Sequence, residues 1–284
     1  MKLRYTTIHQ YLLTSVATIF LLLNPAKLSA QTVLDSIQET GVLRVAVRED
    51  AAPFGYLNSE KKLQGRCLNF LALLQEKLKE KLPRDVIVLS IFKSTAANRF
   101  KLVEMGIVDL ECGPNTIREL PSSKVTFSQD FFITGTQLLV DKKQAKLLNL
   151  NGNLAGVTLG VVKTTTTEEA IALKYPLANI QRFSGAVARR RGVQAVRQGK
   201  IDAMVSDGIL LRGEAVLENL SPNRYVLIPE IPLSCDRYAM IIKGQDNQWQ
   251  DFVNSVIASE QAQQLFRFNA TSTHLDRMSV CQSM

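Results

Sequence analysis

The chain has 284 residues, 46% hydrophobic and 21% charged, with Lys+Arg 34 against Asp+Glu 26 for a formal charge of +8. These proportions exclude an intrinsically disordered, collagen-like or coiled-coil protein. The length leaves room for one large core or two modest ones, and two is the expectation.

Residues 1–30 read as a secretory signal. Lys2 and Arg4 open it, the run YLLTSVATIFLLL is apolar, Asn24-Pro25 breaks the run, and Leu28-Ser29-Ala30 offers a cleavage site before Gln31. The run is about 13 residues, short of the roughly 20 that span a bilayer. Leu28 stands where a small residue is preferred, which leaves an uncleaved anchor as the alternative. No Cys follows the run, so a lipoprotein is not expected. Without Lys2, Arg4 and Lys27 the remainder holds 31 basic and 26 acidic residues, a charge of +5. The exported chain is expected to be soluble in the periplasm.

An oxidising compartment changes how the four cysteines read. Cys67, Cys112, Cys235 and Cys281 form no C-x-x-C pair, which argues against zinc and against a thioredoxin-type site. Two disulfides, Cys67 with Cys112 and Cys235 with Cys281, are favoured because each pairing joins elements expected to share a lobe. Buried free thiols are the alternative.

In chain order, a short helix over 33–39 stops at Gly41, and Leu43, Val45 and Val47 alternate as a strand. Cys67, Leu71, Leu74, Leu78 and Leu82 recur at helical spacing up to Pro83. A β-branched strand over 86–91, a helix over 97–105 and a strand over 108–111 follow. Such alternation predicts βαβ units and a mostly parallel sheet. The segment Val103-Glu104-Met105-Gly106-Ile107-Val108-Asp109 returns as Val196-Arg197-Gln198-Gly199-Lys200-Ile201-Asp202, and the opening strand at 41–47 returns at 156–162. The shared order predicts two similar α/β lobes.

Ligands of open parallel sheets collect beyond the carboxyl ends of the strands. The segments there are 48–56, 112–118, 163–168 and 206–209. Thr165 with Glu168 and Thr166 with Glu169 fit capping boxes at a helix start, where free N–H groups and the dipole suit a carboxylate. A structural cap alone is the competing account. Asp207 is either an N-cap or a carboxylate aimed at a ligand ammonium. Arg48 closes the first strand and can fork onto a carboxylate. Phe54 and Tyr56 either stack on a ligand or plug the core, and Asn115, Thr116 and Arg118 complete the candidate set. The run Arg189-Arg190-Arg191 lacks interleaved aromatics and reads as a solvated helix face, not a nucleic-acid patch.

Catalytic templates fit poorly. The two histidines are His9, in the signal, and His274, near the C-terminus, and no HExxH, GxSxG, Walker A or GxGxxG motif is present. No catalytic residue, metal or cofactor is assigned.

These residues resemble a known family. LRVAVR at 43–48 with Pro53-Phe54-Gly55-Tyr56, Asn98-Arg99-Phe100, Asp109-Leu110-Glu111-Cys112-Gly113, Phe127-Ser128, Thr134-Gly135-Thr136, and residues 164–168 and 199–207 stand in the order of a periplasmic solute-binding protein of ABC importers, family 3. The polar amino acid type, and its glutamate/aspartate-binding branch, are the nearest. The resemblance implies a two-lobed type II fold, each lobe a mostly parallel sheet flanked by helices, joined by two crossing strands. It places lobe 1 at 31–137 and 234–284 and lobe 2 at 138–233. It implies a monomeric, non-enzymatic receptor that takes an acidic or polar amino acid in the cleft and presents it to a membrane permease. By position, Arg48 meets the ligand side chain, Thr165 and Thr166 the α-carboxylate, and Asp207 the α-ammonium. Pro121 occupies the place of the family's carboxylate-clamping Arg, with Arg118 three residues earlier as its substitute. Asn69 stands where an Asp is usual, and Thr164 replaces the usual Gly. The alternatives are a cyclohexadienyl dehydratase-like enzyme, with Glu49, Glu111 or Glu119 as acid/base, and an orphan sensory binding protein.

Overall fold

The computed structural model describes residues 31–120 and 122–267. The proposed signal, Pro121, His274 and Cys281 lie outside them. Helix α1 (Val33–Thr40) starts from Thr32, whose side chain and that of Asp35 form a reciprocal capping box, and it stops at Gly41 with φ 71°. Strand β1 (Val42–Arg48) follows, then three short strands, β2 (Asp50–Ala51), β3 (Gly55–Leu57) and β4 (Leu63–Gln64). Helix α2 (Arg66–Lys81) buries Cys67, Phe70, Leu71, Leu74 and Leu78, the apolar stripe of the sequence, and ends before Pro83. Next come β5 (Val88–Ser94), α3 (Arg99–Glu104), β6 (Leu110–Thr116), β7 (Val125–Thr134) and β8 (Thr136–Asp141). The chain continues through α4 (Lys142–Ala145), β9 (Thr158–Val162), α5 (Thr166–Lys174), β10 (Asn179–Phe183), α6 (Ala188–Arg197), β11 (Ala203–Asp207), α7 (Gly208–Leu217) and β12 (Tyr225–Ile228). It closes with β13 (Asp236–Lys243), α8 (Asn247–Ile257) and α9 (Glu260–Phe266).

Two five-stranded sheets have the same plan. The first runs β5-β1-β6-β13-β7 and the second β10-β9-β11-β8-β12. In each, the opening strand lies between two parallel neighbours, and the fourth strand is antiparallel to those on both sides. That reversed strand is the one that has just crossed from the other sheet: β8 follows β7 through Gly135, and β13 follows β12 through residues 229–235. A Cβ on Gly135 would lie 1.9 Å from the Ser234 carbonyl oxygen, so the two crossings touch at a point that only glycine permits.

The repeated sequence segment is the same device built twice. Gly106 and Gly199 end their helices at φ 66° and 67°. The Asp three residues later then accepts an N–H near the start of the opening strand: Arg44 N, third in β1, to Asp109 Oδ2 at 3.1 Å, and Thr158 N, first in β9, to Asp202 Oδ2 at 2.7 Å. Trp249, Phe252 and Val253 of α8 join α2 and β1 in the core of the first lobe, so the chain returns to the lobe it began. Cys67 and Cys112 are disulfide-bonded within that core, with 5.7 Å between their Cα atoms. Cys235 is not a free thiol, but Cys281, its expected partner, lies outside the described residues. No helix among the described residues is long and apolar enough to cross a membrane.

Candidate functional site

The carboxyl ends of β1, β6, β9 and β11 converge with the N-termini of α5 and α6 on one small cavity between the lobes. Arg48, Arg99, Thr116 and Arg118 line it from the first lobe, and Thr165, Thr166, Thr167, Arg189, Ser206 and Asp207 from the second. Its volume is about 30 Å³, near the share of one liquid water. The lobes are closed on one another. The Thr166 hydroxyl lies 3.4 Å from that of Thr116, Arg118 Nη1 is 3.6 Å from Glu169 Oε1, and Arg190 Nη2 donates to the Leu57 carbonyl at 3.3 Å. Arg189 Nη1 donates to the Asp50 carbonyl and Tyr238 Oη to Asp207 Oδ2.

Asp207 occupies the N-cap position of α7 but makes no side-chain capping bond. Its carboxylate is 7% exposed, takes the Tyr238 hydroxyl on Oδ2, and has no hydrogen-bond partner on Oδ1. Burial first, and the neighbouring Asp236 second, push this carboxyl up to about 6, against the pull of Tyr238 and Arg189. Asp236 is itself raised by burial, while Ser234 Oγ donates to its Oδ2 at 2.5 Å.

Four guanidinium groups surround the remaining wall. Arg48 is buried and already held by Asp50, with Nε 2.8 Å from Oδ1. Arg99 is buried, donates to the Ala96 carbonyl, and leaves Nε without a partner. Burial and the charge of Arg48 bring the Arg99 guanidinium down to about 9. Arg99 and Arg118 both lie over the Phe100 ring, at 4.9 and 5.4 Å from its centroid. Arg189 is buried, with Nε 3.1 Å from Ser206 Oγ.

The Thr run is divided between structure and cavity. Thr165 is the N-cap of α5: its oxygen accepts Glu168 N at 3.2 Å while its hydroxyl donates to the Val162 carbonyl at 2.8 Å. Glu168 reaches back to the N–H of Thr164, one residue before the cap, at 2.7 Å. Thr164 itself has φ 64°.

Of the nine residues expected at the site, Arg48, Thr116, Arg118, Thr165, Thr166 and Asp207 line the cavity. Phe54, Tyr56 and Asn115 do not. Phe54 is fully buried and meets Phe131, Phe132 and Tyr238 edge-on at 5.3 to 5.7 Å, so it fills the first lobe's core. Tyr56 sits in β3 with its hydroxyl 3.5 Å from Gln64 Oε1. Asn115 Nδ2 donates to Glu111 Oε2 and the Gly113 and Ala239 carbonyls, at 2.7, 3.0 and 3.1 Å, while its Oδ1 is buried without a partner.

Arg99 and Arg189 are cavity residues that the sequence reading left out. For Arg189 the expectation of a solvated face is corrected. It lies on the buried stripe of α6 with Gly192, Val193 and Val196, the i+3, i+4 and i+7 positions that mark it in the sequence, while Arg190 and Arg191 are more exposed.

The carboxylates considered as acid/base groups stand elsewhere. Glu111 is fully buried under Arg48, held by Ser94 Oγ at 2.7 Å and by Asn115, and raised by desolvation. Glu49 is 3.9 Å from Lys93, and Glu119 is exposed. No group of three or more potential metal ligands occurs among the described residues.

Known proteins repeat this construction. The glutamate/aspartate import solute-binding protein of Escherichia coli is 26% identical over 234 residues, 82% of this chain and 76% of that protein. The glutamine-binding protein of Geobacillus stearothermophilus is 29% identical over 194 residues, 68% of this chain and 70% of that one. Among solved structures, the ancestral amino acid-binding protein AncCDT-1, described as a precursor of cyclohexadienyl dehydratase, matches with a TM-score of 0.69 at 22% identity, covering 83% of this chain and 97% of the other. A putative ABC-transporter binding component from Wolinella succinogenes, complexed with lysine, also gives 0.69, at 17% identity over 80% and 93% of the two chains. These structures share the type II two-lobed fold. The family model of bacterial extracellular solute-binding proteins, family 3, matches residues 43–267, and the chain belongs to that family.

Proposed function

We propose that the protein captures an α-amino acid with an acidic or polar side chain in the inter-lobe cleft and delivers it to the permease of an ABC importer. The signal-like sequence of residues 1–30 and the membership of an extracellular solute-binding family support export to the periplasm. One observation carries the ligand class: Asp207 Oδ1 is buried without a hydrogen-bond partner, on a cavity whose other charged groups are four arginines. A buried oxygen of this kind is costly unless a donor meets it, and a ligand ammonium is the donor that fits. The α-carboxylate then lies at the N-terminus of α5, near Thr166 and Thr167. A side-chain carboxylate falls to Arg118, Arg99 and Arg189, since Arg48 is already held by Asp50. Arg118 supplies a guanidinium from three residues before Pro121. The glutamate/aspartate-binding relatives support an acidic ligand.

Three charge-assisted contacts at about 1.5–3 kcal/mol each give about 5–9 kcal/mol before ordering costs, and micromolar affinity needs about 8. A cavity near 30 Å³ admits no amino acid, so capture begins with the lobes apart. Glu49, Glu111 and Glu119 line no part of the cavity, which favours a receptor over a dehydratase.

Calorimetry of the purified protein against glutamate, aspartate, glutamine, lysine and glutarate tests the assignment. Glutamate or aspartate is expected to bind, glutarate more weakly for want of the ammonium, and Asp207→Ala to erase that difference. No binding by any amino acid, organic acid or small peptide would overturn it. Turnover of prephenate or arogenate would establish the enzyme instead.

A further inference from the structure

A second cavity, larger than the cleft and sharing no lining residue with it, is walled by α7 from Gly208, the residue after Asp207. Its volume is about 620 Å³, within the range of small-molecule sites. Helix α7 turns Gly208, Ile209, Arg212, Ala215 and Val216 toward it, the i, i+1, i+4, i+7 and i+8 positions of one helix face. A face of this kind normally packs against another element, yet Val216 is 75% exposed. Opposite stand Leu139 of β8 and Leu227 of β12.

Among the described residues, the one cation on this wall has no counter-ion. Arg212 is half-buried and has no hydrogen-bond or ion-pair partner among the described residues. Burial lowers its guanidinium pKa, as desolvation does for a charge left without compensation. Glu230 also lines the cavity, but it has a partner of its own. The cavity thus offers an apolar trough with a single half-desolvated guanidinium, the complement of a small monoanion with an apolar body.

We propose that this cavity is a second ligand site, which takes a small amphipathic carboxylate with its head group on Arg212 and its apolar body along Ile209, Val216 and Leu227. The site borders both crossings, at Gly135 and Pro232, and its α7 wall begins at the residue after Asp207. An occupant therefore touches both segments that cross between the lobes. The assignment does not depend on which ligand the cleft takes.

Octanoate and octan-1-ol, which share a chain and differ in charge, are the probes. By calorimetry octanoate is expected to bind one per chain and about tenfold more tightly than octanol, the size of one charge-assisted contact. Arg212→Met should abolish that preference and leave octanol unchanged. Val216→Glu, at an exposed position, should weaken octanoate without touching the fold. Asp207→Ala should leave octanoate binding intact, because the two cavities are separate. Equal affinity for the two probes, an undiminished preference in Arg212→Met, or no saturable binding of either overturns the proposal.

Discussion

The Tyr238 hydroxyl, carried on the crossing strand of the first sheet, donates to Oδ2 of Asp207 at the end of a strand of the second. The bond joins the lobes and consumes one carboxylate oxygen, which leaves Oδ1 as the free acceptor on the cleft. It also pulls the Asp207 pKa down against the larger effect of burial. Tyr238, Arg189 and Thr167 together favour the charged form of this carboxylate against its burial.

Ligand affinity and stability of the free protein should therefore respond to pH in opposite directions. An ammonium needs ionised Asp207, whose carboxyl titrates at about 6. Affinity falls as the pH drops from 7, by about tenfold at pH 5, since each unit below the pKa costs a factor of ten in the ionised form. A carboxyl with a raised folded pKa disfavours the folded state once it ionises, so the ligand-free protein gains stability as the pH falls from above 6 toward the unfolded value. Glu111, Glu214 and Asp236, raised chiefly by burial, add in the same sense. Tyr238→Phe should move the binding midpoint to higher pH. Calorimetry and thermal melts across pH 5–8 test both slopes, and a flat affinity would refute the role of Asp207.

Arg189 should act on both the ligand and the closed state. Its Nη1 crosses to the Asp50 carbonyl, its Nε holds Ser206, and its charge lowers the Asp207 pKa. Arg189→Gln removes all three. The expected result is an affinity loss of at least about tenfold, the size of one charged hydrogen bond, together with a higher pH midpoint for binding. Arg191→Gln, whose guanidinium stays within its own lobe on the Ser184 carbonyl, serves as the control and should bind normally. Equal behaviour of the two variants would return Arg189 to the solvated face expected of the run.

How much of this was legible depends on the kind of signal each residue carries. The paired Gly106/Asp109 and Gly199/Asp202 were readable because a left-handed helix stop and a strand-capping carboxylate each demand a residue type at fixed spacing. Strands β2, β3 and β4, of two or three residues, are too short to show a period in the sequence. Asn115 stands between the cavity residues Pro114 and Thr116 in β6, and only the pleat decides which neighbours face the cavity. Arg189 was masked by its neighbours, since a run of like charges reads as solvent-facing until the helix phase separates its members.

The Cys67–Cys112 disulfide ties the start of α2 to β6 across a separation of 45 residues. In the chain-entropy account, closing a loop of that length in the unfolded state is worth about 4 kcal/mol. Cys67→Ser with Cys112→Ser should lower stability by about 2–4 kcal/mol, read as a shift in the denaturation midpoint. Because both cysteines are fully buried in the first lobe's core and neither lines the cleft cavity, affinity measured on the folded double variant should be unchanged. A variant that folds stably but no longer binds would show that the crosslink shapes the cleft itself.

Thr164 holds φ 64°, a left-handed backbone that is unfavourable for a β-branched side chain. Two local bonds keep it there: its N–H meets Glu168 Oε2, and its hydroxyl meets the Lys163 carbonyl at 2.6 Å. The residue before the α5 cap must turn this way to point the helix N-terminus at the cleft, so the strain accompanies the site's geometry. Thr164→Gly removes a penalty of about 1–2 kcal/mol and adds about 0.5–1 kcal/mol of unfolded-state entropy. The net is a stabilisation of about 0.5–1 kcal/mol, or a melting temperature about 1–4 °C higher for a chain of this size. Loss of the methyl and hydroxyl also frees the approach to the terminus, so affinity should hold or rise. A lower melting temperature would mean that the Thr164 hydroxyl bond to Lys163 outweighs the backbone strain it accompanies.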